Sequence, residues 1–377
     1  MVRIGVDATS LHGARTGVGV VTQEILEALG RETGLEVTAF AITWRGRGRL
    51  AELLPPGVRA AGRPMAARPL RACWSRADLP PIEWFVGPLD VVHGPNFVVP
   101  PSRRAARVVT VHDLTPWRFP ELTNRDTRAY PGLVARAVRG GAWVHTVSEW
   151  VADEVRTEHP DAAARVVTVP NGVTPLPPDG PATGATRGVA LAGAARYVVA
   201  LGTVEPRKDL PGLVRAFDDV VSAAPDDPVR LVIAGPDGWG AEALTEALGR
   251  ARHADRIRRV GWVSDDDRAA LLRGATVFAY PSRYEGFGLP PLEAMQAGVP
   301  VVTTTAGALP EVVADAALLV APGDHDALVA GLQQVLTDER RRAQLVAAGT
   351  ARVVAFDWAR TGDGLVDLYR RALAARS

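Results

Sequence analysis

The sequence predicts two doubly wound α/β domains, and three observations carry that expectation. The chain has 377 residues, more than one ordinary core encloses and enough for two domains of roughly 150 to 200 residues. Short valine-rich apolar runs alternate with amphipathic stretches along its whole length. Between residues 174 and 195 that periodicity gives way to proline, glycine and alanine, the composition of a linker.

In the first half the apolar runs cover residues 3–6, 36–42, 90–93, 107–111, 142–147 and 165–169. In the second they cover 197–201, 229–234, 257–262, 275–279, 299–302 and 317–320. Continuous rather than alternating apolar character predicts strands covered on both faces, and the helical patterns between them predict right-handed crossovers in parallel sheets. The domains are expected at 1–173 and 196–357, with 174–195 linking them. Three helical patterns follow the last strand, at 324–336, 339–354 and 359–374, broken at Phe356-Asp357-Trp358. The terminal stretch 358–377 is expected to cross back onto the first domain.

Composition narrows the function. Forty-three basic residues oppose 42 acidic ones, so no global field recruits nucleic acid, and any anion must be held locally. A single cysteine, Cys73, excludes an internal disulfide and a multi-cysteine zinc site. The start enters a strand pattern without a basic leader and apolar signal core, and no run of 18 apolar residues occurs; a soluble cytoplasmic protein is expected.

Only one of the basic residues is a lysine, Lys208, next to Arg207. A chain so biased toward arginine keeps a lysine where a compact, hydrated ammonium on a flexible stem works and a rigid guanidinium fork does not, as in reaching a phosphate. In open parallel sheets ligands bind beyond the carboxyl ends of the strands, and Lys208 lies in such a loop. Two adjacent cations there can clamp a diphosphate and neutralise charge as it leaves.

A second loop, Thr16-Gly17-Val18-Gly19, precedes a helical pattern. Gly17 and Gly19 there would let backbone amides approach an anion, although a plain turn explains them as well. A dinucleotide fingerprint would need glycine where Thr22 stands and an acid where Ile42-Thr43-Trp44 closes the second strand, so NAD is disfavoured. The third loop runs Pro281-Ser282-Arg283-Tyr284-Glu285-Gly286-Phe287-Gly288-Leu289-Pro290-Pro291-Leu292-Glu293. Its prolines suit a first helical turn and leave the amides of Phe287, Gly288 and Leu289 to face a ligand. Glu285 and Glu293 can accept hydrogen bonds from hydroxyls. Carboxylates for hydroxyls beside cations for phosphate describe a sugar nucleotide.

These motifs, with Gly202-Thr203-Val204-Glu205-Pro206-Arg207-Lys208 and Val169-Pro170-Asn171-Gly172-Val173, resemble retaining glycosyltransferases of family 4 with the GT-B architecture. The resemblance is strongest over 197–320, and it implies that 1–173 is the acceptor-side domain and 196–357 the sugar-nucleotide-binding one. It implies that Arg207 and Lys208 hold the donor diphosphate, that Glu293 receives the ribose, and that Glu285 with the amides of 287–289 holds the transferred sugar. It also implies that the Gly17–Gly19 loop closes over the phosphates. The segment around His112-Asp113 resembles the one that places a histidine near the donor sugar in mannosyltransferases of this family; a structural histidine is the alternative. Thr203 stands where many members carry arginine, so Arg207 is expected to replace one phosphate contact.

Asp265-Asp266-Asp267 and Asp324-His325-Asp326 open helical patterns, where acids complement the dipole, and no metal site is expected from either. Ser148 reads as an N-cap and Asn171-Gly172 as a turn. Arg59, Arg63, Arg68, Arg71 and Arg76, with Leu70 and Trp74 among them, form a basic stretch that could dock on anionic lipid at the inner face of the membrane, at about 1 kcal/mol per residue; a solvated helix face is the alternative. The expectation is a metal-independent, cofactor-free hexosyltransferase moving mannose from GDP-mannose to a hydroxyl of a glycan or lipid-linked acceptor. A UDP- or dTDP-hexose donor, a GT-B epimerase, a glycan phosphorylase and a non-catalytic sugar-binding module are the alternatives.

Overall fold

The computed structural model describes residues 1–12, 17–44, 47–61, 63–123 and 127–376. Contacts divide the chain into Met1–Gly172 with Asp357–Ser377, and Val173–Phe356. In the first unit β1 (Val2–Asp7), β2 (Leu35–Phe40), β3 (Val58–Ala60), β4 (Val91–Gly94), β5 (Ala106–Val111), β6 (Trp143–Thr146) and β7 (Val166–Thr168) form a sheet in the order β3-β2-β1-β4-β5-β6-β7. In the second, β8 (Tyr197–Leu201), β9 (Arg230–Ala234), β10 (Ile257–Gly261), β11 (Val277–Tyr280), β12 (Val301–Thr304) and β13 (Ala317–Val320) run β10-β9-β8-β11-β12-β13. Every recorded pairing is parallel. The strand order reverses between β1 and β4 and between β8 and β11, and such reversals open a crevice at the carboxyl ends of the strands.

The helices that bear on the site are α1 (Gly17–Arg31), α2 (Ala67–Trp74), α3 (Ala185–Ala192), α4 (Leu210–Ala223), α5 (Asp265–Gly274), α6 (Leu289–Gln296) and α7 (Trp358–Ala374). Among the described residues no helix is long and apolar enough to cross a membrane. Each unit buries its own core, around Phe40, Val109 and Val144 in the first and Leu213, Phe217 and Leu231 in the second. Ser148 caps its helix as expected, accepting from the Val151 amide at 3.2 Å.

Two local expectations change. Residues 185–192, inside the expected linker, form α3 and lie against α5. Gly188 makes that approach possible: a Cβ there would stand 2.0 Å from the Ala270 carbonyl oxygen. Read alone, a glycine in an alanine-rich stretch looks like a breaker, whereas here it is the point of closest helix contact. The edge strand β3 has no apolar run to announce it, being three residues long with Arg59 and Ala60 exposed.

The C-terminal helix α7 returns to the first unit. Gly362 sits on Ala28 of α1, where a Cβ would come within 2.9 Å, and Thr361 donates to the Pro170 carbonyl at 2.8 Å. Tyr369 reaches a buried relay: Tyr369 Oη to His93 Nδ1 at 2.7 Å, His93 Nε2 to Thr110 Oγ1 at 2.8 Å, Thr110 Oγ1 to His145 Nδ1 at 2.9 Å, and His145 Nε2 to the Val169 carbonyl at 2.9 Å. A carbonyl only accepts, so His145 Nε2 carries the proton. Thr110 then donates to His145, His93 donates to Thr110, and Tyr369 donates to His93.

Burial holds both histidines neutral, His93 well below its ordinary value and His145 down at about 4. The unfolded chain takes up protons below about pH 6.5 while the folded one does not, so stability falls with pH from there toward 4. His145 alone contributes about 3 kcal/mol to that loss. Tyr369→Phe leaves His93 Nδ1 without its donor and is expected to cost about 1 to 3 kcal/mol in chemical denaturation; a midpoint equal to that of the unsubstituted chain would refute the relay.

Candidate active site

In the second unit β8 is followed by Gly202, whose φ of 138° only glycine adopts easily. The chain passes through the 3-10 turn Pro206–Lys208 and enters α4, capped by the Asp209 carboxylate on the Gly212 amide at 3.2 Å. That turn presents Arg207 and Lys208 beyond the end of β8, beside the loop leaving β11. Lys208 is only 8% exposed. Its Nζ donates to Glu285 Oε1 at 2.6 Å and also to the Tyr280 hydroxyl. Arg207 meets Glu285 Oε2 at 2.8 Å and Glu205 at 2.7 Å. Glu285, 6% exposed, is therefore gripped by both cations.

Burial would raise the Glu285 carboxyl, but Arg207 and Lys208 hold it at about 2. Burial, helped by Arg207, pulls Lys208 down to about 8 against the attraction of Glu285. At neutral pH the cluster carries two cations against Glu285 and Glu205. A buried arrangement of this kind is costly to desolvate and is strained electrostatically when any member is removed.

The turn after Glu285 is set by backbone geometry. Gly288 has φ 111° and opens α6, with prolines in its first turn. The amides of Phe287 and Gly288 donate to no group among the described residues, and Leu289 begins the helix. From beyond β12, Gly307 presses on the Glu285 backbone so closely that a Cβ would lie 2.1 Å from its carbonyl oxygen, and the Ala308 amide bonds that oxygen at 2.9 Å.

Glu293 projects from α6, 7% exposed, and meets Arg268 of α5 at 2.5 Å. The two glutamates thus have different partners. Sequence reasoning missed Tyr280, Arg268 and Gly307, whose contacts join residues far apart in the chain, and gave Glu205 no role although it lies two residues before its partner Arg207. The aspartates 265–267 lie in the first turn of α5, with Asp267 on Arg187 at 3.0 Å, and Asp324 caps its helix through the Ala327 amide at 3.0 Å.

In the first unit Thr16 lies outside the described residues, and Gly17 and Gly19 stand in the opening turn of α1 rather than in a loop. A Cβ on Gly17 would meet nothing, so packing does not demand glycine there. His112 follows β5 and donates from Nε2 to the Pro95 carbonyl at 2.7 Å. Burial lowers its pKa, leaving a neutral ring whose Nδ1 is the bare nitrogen. Asp113 caps the next turn through the Thr115 amide at 2.8 Å.

The arginines of the basic stretch have different partners. Arg59 pairs with Glu36, Arg63 donates to the Trp84 carbonyl and Arg76 to the Ala72 carbonyl. Arg68 is exposed, and Arg71 instead lines an inward pocket.

Comparison with known proteins identifies the family. The family model for group 1 glycosyl transferases matches residues 187–352, and that for Glycosyltransferase Family 4 matches 15–175. O-antigen chain mannosyltransferase B of Escherichia coli is 34% identical over 284 residues, covering 74% of each chain. The MMP alpha-(1->4)-mannosyltransferase of Mycolicibacterium hassiacum is 42% identical over 125 residues, 32% of this chain and 30% of that one. Sucrose-phosphate synthase from Thermosynechococcus elongatus shares the fold over 100% of both chains, with a TM-score of 0.72 and 21% identity. With both sheets, both family models and a relative matched across most of its length in agreement, the chain belongs to family 4 of the glycosyltransferases, hexosyl-transferring enzymes of GT-B architecture.

Proposed function

We propose that the protein is a retaining mannosyltransferase that moves mannose from GDP-mannose to a hydroxyl of a glycan or lipid-linked glycan. The observation that carries the reading is the buried Arg207–Lys208–Glu285 cluster at the reversal point of the second sheet. The similarity to O-antigen chain mannosyltransferase B supports the choice of mannose.

The donor diphosphate binds Arg207 and Lys208, taking over the charge now met by Glu285. Glu285, released from part of that pairing, and the amides of Phe287, Gly288 and Leu289 accept and orient the hexose. Glu293, positioned by Arg268, receives the ribose hydroxyls. His112 keeps a bare Nδ1 able to accept from a hydroxyl. As the bond between C1 and the phosphate oxygen breaks, the acceptor oxygen bonds to C1 on the same face. The departing phosphate oxygen takes the acceptor proton, and nucleoside diphosphate leaves.

Arg207, Lys208 and the amide dipoles at the start of α6 supply the positive field that stabilises the departing diphosphate. Initial rates with EDTA are accordingly expected to stay within about twofold of those with magnesium or manganese, less than roughly 0.5 kcal/mol in barrier. A hundredfold loss on chelation, restored by manganese, would replace this mechanism with a metal-assisted one. Thermal stabilisation by GDP-mannose, exceeding that by UDP-glucose or a dTDP-hexose, tests the donor assignment; a larger shift with either competitor reassigns the base.

A further inference from the structure

Tyr280 closes β11, 2% exposed, with its hydroxyl bonded by Lys208. We infer that Tyr280 is a positioning residue for the transfer: its hydroxyl and ring hold the Lys208 ammonium at the diphosphate while Glu285 turns to the sugar. That role rests on the reading of Lys208 as the ligand of the diphosphate, and deepens it by naming the group that keeps the ligand in place.

An ammonium on a flexible four-carbon stem has many rotamers, and fixing it costs side-chain entropy. Lys208 therefore needs a partner that does not move. Among the described residues its Nζ has two, Glu285 at 2.6 Å and the Tyr280 hydroxyl. Glu285 lies on the loop after β11 and is shared with Arg207 at 2.8 Å, and in the proposed reaction the diphosphate takes over its charge. Tyr280 keeps its place through that exchange, because it belongs to the sheet. Its ring stacks on that of Phe278 at 5.9 Å, it pairs with Thr303 of β12, and its carbonyl accepts from the Thr303 hydroxyl at 2.7 Å.

The chemistry of the contact suits a cation. Nζ donates to the phenol oxygen and also lies over the ring, 4.3 Å from its centroid, where the π face attracts positive charge. Burial, and after it the charge of Glu285, hold the phenol well above its ordinary value, so it keeps its proton. The anchor is therefore neutral and leaves the charge of Lys208 to act on the phosphate, which a further carboxylate would cancel. Core packing alone does not account for this residue, since leucine would fill the strand end and offer the ammonium nothing.

Four groups face Lys208. Arg207 and Glu205 stand on its own turn, Tyr280 at the end of β11 and Glu285 on the loop that follows. Burial and Arg207 favour the neutral amine, and the two glutamates favour the ammonium. The phenol oxygen acts in the same direction as the glutamates, because a hydrogen bond made to the charged form stabilises that form.

The chain has no other lysine, so untagged protein grown with lysine carrying 13C at Cε gives a single NMR signal that reports Lys208. In the unsubstituted protein that signal is expected to titrate at about 8 and to keep two distinct Hε shifts with GDP bound, as a side chain held in one rotamer does. Tyr280→Phe keeps the ring and removes the oxygen. Its Lys208 is expected to titrate about one pH unit lower, and the fall of kcat/KM at high pH moves down with it. Thr303→Val disturbs the same strand and spares the hydroxyl, so the titration is expected to stay within about 0.3 of a pH unit of the unsubstituted protein. An unchanged titration in Tyr280→Phe, an equal displacement in Thr303→Val, or Hε signals that merge when GDP binds would overturn the assignment. Because the lysine signal is read without turnover, failure to consume GDP-mannose strikes the proposed transferase reaction alone.

Discussion

Lys208→Ala is expected to lower turnover by about a hundredfold or more, since one preorganised contact to the developing charge is typically worth on the order of 3 to 4 kcal/mol. The size of the effect follows from where the ammonium sits. It is buried, bonded to Glu285 at 2.6 Å and to Tyr280, so no solvent cation can replace it. Lys208→Arg is expected to fail nearly as badly, because a planar fork does not fit the space between a phenol and a carboxylate that a point charge fills. Circular dichroism establishes that each variant is folded. Turnover within threefold of the unsubstituted enzyme in both would remove Lys208 from the mechanism.

The same group sets a pH limit. With its pKa pulled down to about 8 by burial and Arg207, Lys208 loses its proton as pH rises through that value, and kcat/KM is expected to fall above about pH 8. Bound diphosphate favours the charged form, so the corresponding limb in kcat lies higher. The effect on folding has the opposite sign: between about 8 and the unfolded value near 10.5 the unfolded chain binds the extra proton, so stability rises with pH across that window.

The second large effect separates the two glutamates. Glu285→Ala removes the partner of both cations and the contact to the sugar, and is expected to reduce turnover by about a hundredfold. Nucleotide affinity is retained or improved, since Arg207 and Lys208 are then freed for phosphate. Glu293→Ala leaves that cluster intact and is expected to weaken GDP about tenfold or more in calorimetry, roughly 1.4 kcal/mol. GDP affinity equal in the Glu293 variant and the unsubstituted protein would refute the ribose assignment.

Much of this architecture is legible before any coordinates. Fully buried parallel strands must be apolar on both faces, so a run such as Tyr197–Leu201 announces itself. The solitary lysine stands out because composition makes it exceptional, and the fold buries it against Glu285. What stays hidden is relational. That Gly188 closes a helix contact rather than breaking a helix depends on Ala270, 82 residues away by subtraction of their numbers. That Glu285 serves both cations, or that Glu293 is held by Arg268, depends on how β8, β11, α5 and α6 come together. Arg71 is the clearest case. In sequence it is one of five arginines in a basic stretch; in the fold it turns toward Asp7, and only the pocket separates it from its neighbours.

The most direct measurement of the central claim is proton NMR of a reaction containing GDP-mannose and a neutral glycan acceptor, followed as the first product forms. Loss of the α-mannosyl phosphate signal with matching growth of an α-mannoside, and no β-mannoside, is the result predicted for transfer with retention at the Arg207–Lys208–Glu285 cluster. A β-linked first product, or GDP-mannose left intact while a UDP- or dTDP-hexose is consumed, would contradict it.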